Sequence, residues 1–176
     1  DDVVSESNLQ RQVLYTEDEI GLSKALQAQK RLQALNHDIR INGYPTRLTK
    51  ENAASLIANY DIVVDGCDNF TTRYIINDAC AHWGRPYVYG AILAFEGQVS
   101  VFNYQGGPDY RTLYPDEEEM LAMPAPFKGV LGVTPGVIGC MEANEVMKII
   151  GGYGEVLSGK LWQIDLRTME SYTIML

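Results

Sequence analysis

The chain has 176 residues, 46% hydrophobic and 21% charged, with a formal net charge of -9 and a pI of about 4.6. That length supports one domain with a substantial core, and the acidic balance argues against nucleic acid as the main partner while leaving room for a small anion met by a local group of cations. No apolar run is long enough to span a bilayer and no signal peptide opens the sequence, so no membrane partner is expected.

Asp1-Asp2-Val3-Val4 reads as the tail of a strand-to-loop junction. Ser5, Ser7 and Asn8 lead into Leu9-Gln10-Arg11-Gln12-Val13-Leu14. Thr16 with Glu19 three places on fits a capping box, and a long amphipathic helix is expected over 16–35, with Leu22, Ala25, Leu26, Leu32 and Leu35 on its apolar side. Lys24 falls in the first turn, where a cation opposes the helix dipole; it reads either as a solvated lysine or as a partner for an anion bound at that end. Ile39-Arg40-Ile41-Asn42 predicts a strand, and Thr49 caps a helix over 49–59.

Ile62, Val63 and Val64 then form a short β-branched run that suits a strand covered on both faces. It ends in Asp65-Gly66-Cys67-Asp68-Asn69, and a helical pattern follows through Tyr74, Ile75, Ala79 and Trp83. Ligands of α/β folds gather at the carboxyl ends of parallel strands, which puts Asp68 at the working edge of the sheet with Asn69 capping the helix behind it. The plain alternative is that both are turn and cap residues. Pro86-Tyr87-Val88-Tyr89-Gly90-Ala91 is another buried strand and completes a β-α-β-α-β alternation.

Gly97-Gln98-Val99-Ser100-Val101-Phe102 alternates polar and apolar residues and extends the sheet in the antiparallel sense. Over 104–133 the pattern dissolves into Gly106-Gly107-Pro108, an acidic run at 116–119, Pro124 and Pro126. A connection of this length is usually functional or mobile. Thr134-Pro135 starts a helix over 136–150 that puts Gly139, Ala143, Val146 and Ile150 on one face for close approach to a neighbour, and Gly151-Gly152 ends it. Strands over 160–166 and 171–175 close the chain. The expected class is α/β, a mostly parallel sheet flanked by helices with antiparallel strands added in the C-terminal half.

The three cysteines, Cys67, Cys80 and Cys140, are far apart and odd in number, which points to reduced thiols and a cytoplasmic protein. Cys67 reads as a small buried residue, Cys80 and Cys140 as helix-core residues. With no CxxC pair and only His37 and His82, a thiolate or imidazole metal cage is not expected.

Ser7-Asn8-Leu9-Gln10-Arg11-Gln12, then Ile20-Gly21 with Lys24, then Asp65-Gly66-Cys67-Asp68-Asn69 with Arg73, resemble the bacterial adenylyltransferases related to ubiquitin-activating enzymes. Phe95-Glu96-Gly97-Gln98-Val99-Ser100-Val101-Phe102 and Gly132-Val133-Thr134-Pro135-Gly136-Val137-Ile138-Gly139 look like the same family, so the resemblance covers nearly the whole chain. These proteins activate sulfur carriers in molybdopterin and thiamine biosynthesis. The resemblance implies a Rossmann-like fold, one adenylyltransferase domain over 1–176, and a homodimer with the helix from Gly136 and the strand Tyr87-Val88-Tyr89 as contacts. It implies that the C-terminal glycine carboxylate of a ubiquitin-like sulfur-carrier protein attacks the α-phosphate of ATP, giving an acyl-adenylate and pyrophosphate. Ser7, Asn8, Leu9, Gln10, Arg11, Lys24, Asp68 and Asn69 are the implied ATP-binding residues.

The residue types suit that chemistry. A carboxylate approaching a polyphosphate needs cations and in-line positioning, which Arg11 and Lys24 supply, Arg by forking onto phosphate oxygens. Asp68 is a hard oxygen ligand for Mg²⁺, an ion that takes few carboxylates together with phosphates and water. Arg73, one turn along, reads as an ion-pair partner behind the site or as a solvated surface residue.

Departures from the family pattern also carry expectations. The glycine-rich phosphate loop, the first strand and the ribose-holding acid are expected before Asp1, with Asp2 matching the second acid of that motif. At the place of a first zinc-binding CxxC pair stands Asp109-Tyr110-Arg111-Thr112, so no zinc is expected, and no cysteine for covalent capture of the carrier lies in 104–133. The connection over 106–133 is instead expected to be a mobile crossover that passes over the carrier's tail and orders when the tail binds. Other readings are a non-catalytic scaffold of the same fold, a nucleotide-dependent Rossmann oxidoreductase, and an enzyme that adenylates a tRNA base. The Gln10-Arg11 and Lys24 cations and the lack of a hydride-site histidine or lysine disfavour the oxidoreductase. The acidic charge and Leu9-Gln10 disfavour the tRNA enzyme.

Overall fold

The computed structural model describes residues 1–124 and 129–176. They form two compact units, Asp1–Arg47 and Leu48–Leu176.

The first unit carries α1 (Glu6–Leu9), a 3-10 turn (Glu17–Glu19) and α2 (Lys24–Leu35). The single helix expected over 16–35 is split. Its capping box forms, Thr16 with Glu19, but on the short turn, and Gly21 then takes a left-handed φ of 86° before Ser23 caps α2. The reason lies in the backbone of the N-terminal residues. Gly21 donates to the Val4 carbonyl, Val4 to that of Leu22 and Lys24 to that of Asp2, at 2.9, 2.9 and 3.0 Å, with Val3 bridging Ser23. Peptide groups committed to this small ladder cannot continue a helix. The strand expected at Ile39-Arg40-Ile41-Asn42 is likewise not formed. Gln33 Nε2 donates to the Ile39 carbonyl (2.9 Å) and Gln29 Nε2 to that of Ile41 (2.8 Å), while the Ile41 N–H reaches Gln33 Oε1 (3.4 Å). Side-chain amides of α2 satisfy the groups that a neighbouring strand would have taken.

The second unit is built from α3 (Lys50–Ile57), β1 (Val63–Val64), α4 (Phe70–Trp83), β2 (Tyr87–Leu93), β3 (Glu96–Phe102), α5 (Tyr110–Leu113), α6 (Glu117–Ala122), α7 (Val133–Gly151), β4 (Lys160–Asp165) and β5 (Glu170–Met175). One sheet runs β1-β2-β3-β4-β5. β1 and β2 are parallel, and the later pairs are antiparallel, as expected for the C-terminal half. The class is mixed α/β with helices flanking the sheet; its parallel part among the described residues is the β1–β2 pair. α3 has its capping box, Thr49 with Asn52, and Gly84 ends α4 in the left-handed conformation.

α7 packs on β2 and β3, but through a different face from the one expected. Thr134, Ile138, Glu142 and Glu145 are buried, whereas Gly139, Ala143 and Ile150 are exposed. The small residues that permit close approach are on the strands instead. A Cβ on Gly90 would lie 2.4 Å from the Glu142 carboxyl carbon, and one on Gly97 would lie 2.4 Å from Ile138. The buried polar groups are partly satisfied in place: Glu145 accepts from Lys148 Nζ (2.5 Å) and from the Leu157 N–H (2.9 Å).

The connection between β3 and α7 holds α5 and α6 rather than an irregular run. Tyr110 is fully buried among Tyr74, Tyr87, Tyr89, Phe102 and Tyr114, so the first part of this segment belongs to the core. Arg111 ties it down by reaching Asp78 on α4 through two bonds (2.9 and 2.8 Å) and Glu117 at the start of α6 (2.8 Å). Pro126 lies at 125–128, outside the described residues. Tyr87 and Tyr89, expected at a subunit contact, are 0% and 1% exposed inside this core. Among the described residues no helix is long and apolar enough to cross a membrane.

Candidate functional site at the end of strand β1

β1 delivers the chain to Asp65, whose N–H donates to the Val88 carbonyl of β2 at 2.9 Å. Asp65 is buried, and each of its carboxylate oxygens is engaged. Oδ1 accepts from the Cys67 N–H (2.8 Å), while Oδ2 accepts from Arg73 Nε (2.9 Å) and the Tyr87 hydroxyl (3.0 Å). Two residues of opposite charge thus close the loop from inside. Arg73 extends further, donating through Nη2 to the Cys67 carbonyl (2.9 Å) and to that of Gly90 (3.4 Å), with its guanidinium carbon 5.3 Å from the centre of the Tyr89 ring. Burial pulls its pKa down, but Asp65 alongside outweighs that and holds it above the ordinary arginine value. Arg73 is therefore a buried ion-pair partner and not a solvated residue.

Asp68 follows on the outside of this loop and is exposed. Its carboxylate meets the Asn69 side-chain amide at 3.3 Å, a long contact that leaves its oxygens accessible. Asn69 caps α4, its side-chain oxygen accepting from the Thr72 N–H at 2.9 Å. An exposed carboxylate on a fixed turn, at the carboxyl end of a parallel strand, suits a hard cation that keeps most of its water and phosphate ligands.

The other predicted residues stand in the first unit. Ser7, Asn8 and Leu9 lie in α1 and Gln10 closes it. Ser7 Oγ is 3.2 Å from Ser5 Oγ, and Arg11 Nη1 donates to the Ser7 carbonyl at 3.1 Å, which folds the guanidinium back over α1. Lys24 is the first residue of α2, and its ammonium pairs with Asp2 at 2.5 Å. Asp2 is held below the usual carboxylate range chiefly by that bond. The lysine that opposes the helix dipole thus has an anionic partner in its own unit. Arg11, Lys24 and Asp2 belong to the first unit, and Asp68, Asn69 and Arg73 to the second.

The thiols divide as follows. Cys67 is half-buried, and burial together with the nearby Asp65 charge raises its pKa, which makes it a poor nucleophile. Cys80 is buried and pushed up to about 12 by that burial. Cys140 is exposed on α7, not in the helix core, because the buried stripe of that helix runs through Ile138, Glu142 and Glu145.

Sequence reading missed Asp65 and Glu142. The signal for the first was present: an acid directly after a buried β-branched run, with an arginine eight places on. Glu142 had no local signal, since its burial comes from the space above Gly90. Burial, and then the Asp65 charge, push its pKa up to about 8, with Arg73 acting in the opposite direction. An acid raised in this way holds a proton in the folded state that the unfolded chain has released. Its contribution to stability is complete below the unfolded value of 4.5 and is lost as pH rises to about 8. Glu142→Gln removes that loss. The variant is expected to match the parent near pH 4 and to exceed it at pH 9 by on the order of 5 kcal/mol. Urea melts at a series of pH values read the difference, and parallel pH profiles for the two proteins would contradict it.

The ThiF family model matches residues 1–176. The chain belongs to the ThiF family. A ThiF relative named sulfur carrier protein adenylyltransferase, from Thermus thermophilus, is 49% identical over 170 residues, covering 93% of this chain and 63% of the relative. A probable molybdopterin-synthase adenylyltransferase from Pyropia yezoensis is 47% identical over 163 residues, covering 92% of this chain and 43% of the relative. The SAMP-activating enzyme E1 of Haloferax volcanii is 43% identical over 175 residues, covering 99% and 64%. The chain thus spans about two fifths to just under two thirds of the length of these relatives. Among solved structures, E. coli MccB with ATP superposes with a TM-score of 0.82 at 21% identity, over 99% of this chain and 54% of that one. At that identity the likeness shows the fold alone.

Proposed function

We propose that the chain acts as one adenylyltransferase domain that uses ATP to adenylate the C-terminal glycine of a ubiquitin-like sulfur-carrier protein, in molybdopterin or thiamine biosynthesis. The observation that carries this reading is Asp68, an exposed carboxylate on an internally fixed loop at the end of β1. The names of the relatives support the same chemistry. In this reading Ser7, Asn8, Leu9, Gln10, Arg11, Lys24, Asp68 and Asn69 are ATP-binding residues. Arg11 and Lys24 neutralise phosphate oxygens, and each would exchange a present partner, the Ser7 carbonyl or Asp2, for the nucleotide. Asp68 would hold Mg²⁺, which supplies charge neutralisation at the phosphates. The carrier's carboxylate attacks the α-phosphorus, the bond to the bridging oxygen breaks, and pyrophosphate leaves with its electron pair.

Carrier-dependent ATP–pyrophosphate exchange with the full-length protein tests the proposal, using thiamine-type and molybdopterin-type carriers in turn. Exchange that requires ATP, Mg²⁺ and a carrier ending in Gly-Gly is expected. No exchange with any carrier would sink the adenylation reading and favour a scaffold of the same fold.

A cytoplasmic homodimer is part of the proposal. α7 leaves an exposed stripe of Val133, Gly136, Cys140, Ala143, Met147 and Ile150 along its length, in which Val133, Met147 and Ile150 are 60%, 54% and 68% exposed. A second copy covering this stripe would bury it. Sedimentation velocity at working concentration reads the outcome, and a fully active monomer would rule the dimer out.

A further inference from the structure

We infer that Arg73 is a positioning residue for Asp68, acting through the backbone of Cys67. The inference rests on the adenylation reading and deepens it. Cys67 is held from both sides. Its N–H donates to Asp65 Oδ1 at 2.8 Å, and its carbonyl accepts from Arg73 Nη2 at 2.9 Å. That carbonyl belongs to the peptide that joins Cys67 to Asp68, so Arg73 fixes the plane from which Asp68 departs. On the other side of Asp68, the side chain of Asn69 is committed to the Thr72 N–H. Asp68 is bracketed, and its own carboxylate spends little on being placed.

The grip needs a guanidinium and not merely a positive charge. Nε of Arg73 serves Asp65 Oδ2 while Nη2 serves the Cys67 and Gly90 carbonyls. A planar fork meets these acceptors from one side chain, whereas a lysine ammonium is a single compact centre. Its stacking above Tyr89 and the bond from Asp65 to Tyr87 anchor the pair to β2, so the loop inherits the rigidity of the sheet. A buried ion pair by itself is weak evidence for stability. A buried pair that also holds both backbone groups of Cys67, in the loop that carries an exposed carboxylate, has a geometric task.

The test uses the full-length protein, with Mn²⁺ and ATP as probes. Uptake of Mn²⁺ into the protein–ATP complex is followed by electron paramagnetic resonance, beside carrier-dependent pyrophosphate exchange at varied Mg²⁺. Arg73→Lys is expected to weaken Mn²⁺ uptake about 10-fold or more, the scale on which outer-shell partners act on a metal ligand. It should raise the Mg²⁺ needed for half-maximal exchange correspondingly, with excess Mg²⁺ restoring part of the rate. In an Asp68→Asn background the same change should cost nothing further, because the residue through which Arg73 acts is gone. If Arg73→Lys does not fold, the paired change Asp65→Asn with Arg73→Met leaves no unpaired buried charge and is expected to show the same loss. Unchanged Mn²⁺ uptake in a folded variant, or an equal loss with and without Asp68, would overturn the inference while leaving adenylation standing. A parent protein that takes up no Mn²⁺ with ATP and exchanges with no carrier would overturn both.

Discussion

Replacing Asp68 by Asn is expected to leave the fold intact and to lower carrier-dependent pyrophosphate exchange by on the order of 10²–10³ or more. The two halves of that expectation come from different observations. The side chain is exposed, and its contact with a neighbour is a 3.3 Å approach to the Asn69 amide, so stability has little to lose. A change at such a surface position usually stays within about 0.5 kcal/mol. The proposed reaction has much more to lose, because a carboxamide keeps the shape of the ligand but not its charge. Where a carboxylate nucleophile meets a polyphosphate, each missing unit of charge balance acts on the transition state. Thermal melts and exchange assays on the same preparation separate the two. Parental exchange rates in the variant would remove Asp68 from the metal role, whereas a collapsed melting curve would make it a structural turn residue.

The turn at Asp68 and the cap at Asn69 were legible in the sequence because the pattern that marks them is local. A β-branched run, an Asp-Gly turn and a helical pattern lie within one stretch, and the cap forms as expected. The helix α4 and the antiparallel β3 were readable for the same reason. What escaped was decided at a distance. Gly21 breaks the expected helix because residues 2–4 claim the peptide groups of 21–24. Ile39 to Asn42 looks like a strand by composition, yet Gln29 and Gln33 take its backbone groups. The helix from Thr134 shows small residues on one face, but the close approach comes from Gly90 and Gly97 on the opposing strands. Periodicity reports which residues share a face; it does not report which partner has made room. Arg73 shows the same limit at the site itself. Its type was consistent with either an ion pair or a surface role, and burial beside Asp65 decided between them.

Tyr110→Ala is expected to destabilise the protein by about 3–5 kcal/mol, the range for truncating a large buried side chain. The ring sits within 5.1–6.4 Å, centre to centre, of Tyr74, Tyr87, Tyr89, Phe102 and Tyr114. These neighbours come from α4, β2, β3 and the end of α5, so a cavity here is walled by several elements at once in a close-packed core. Against a total stability of about 5–15 kcal/mol for a typical domain, the loss is a large share. Tyr110→Phe separates packing from polarity. The Tyr110 hydroxyl is buried with no hydrogen-bond partner among the described residues. Removing it while keeping the ring should therefore leave stability unchanged or raise it by up to about 1 kcal/mol. Denaturant melts of the two variants read both effects. If the alanine variant stays within about 1 kcal/mol of the parent, α5 is not part of the core. The functional consequence follows the same contacts. Tyr89 packs against Tyr110 and lies under Arg73, so loosening this ring loosens the support of the loop that presents Asp68.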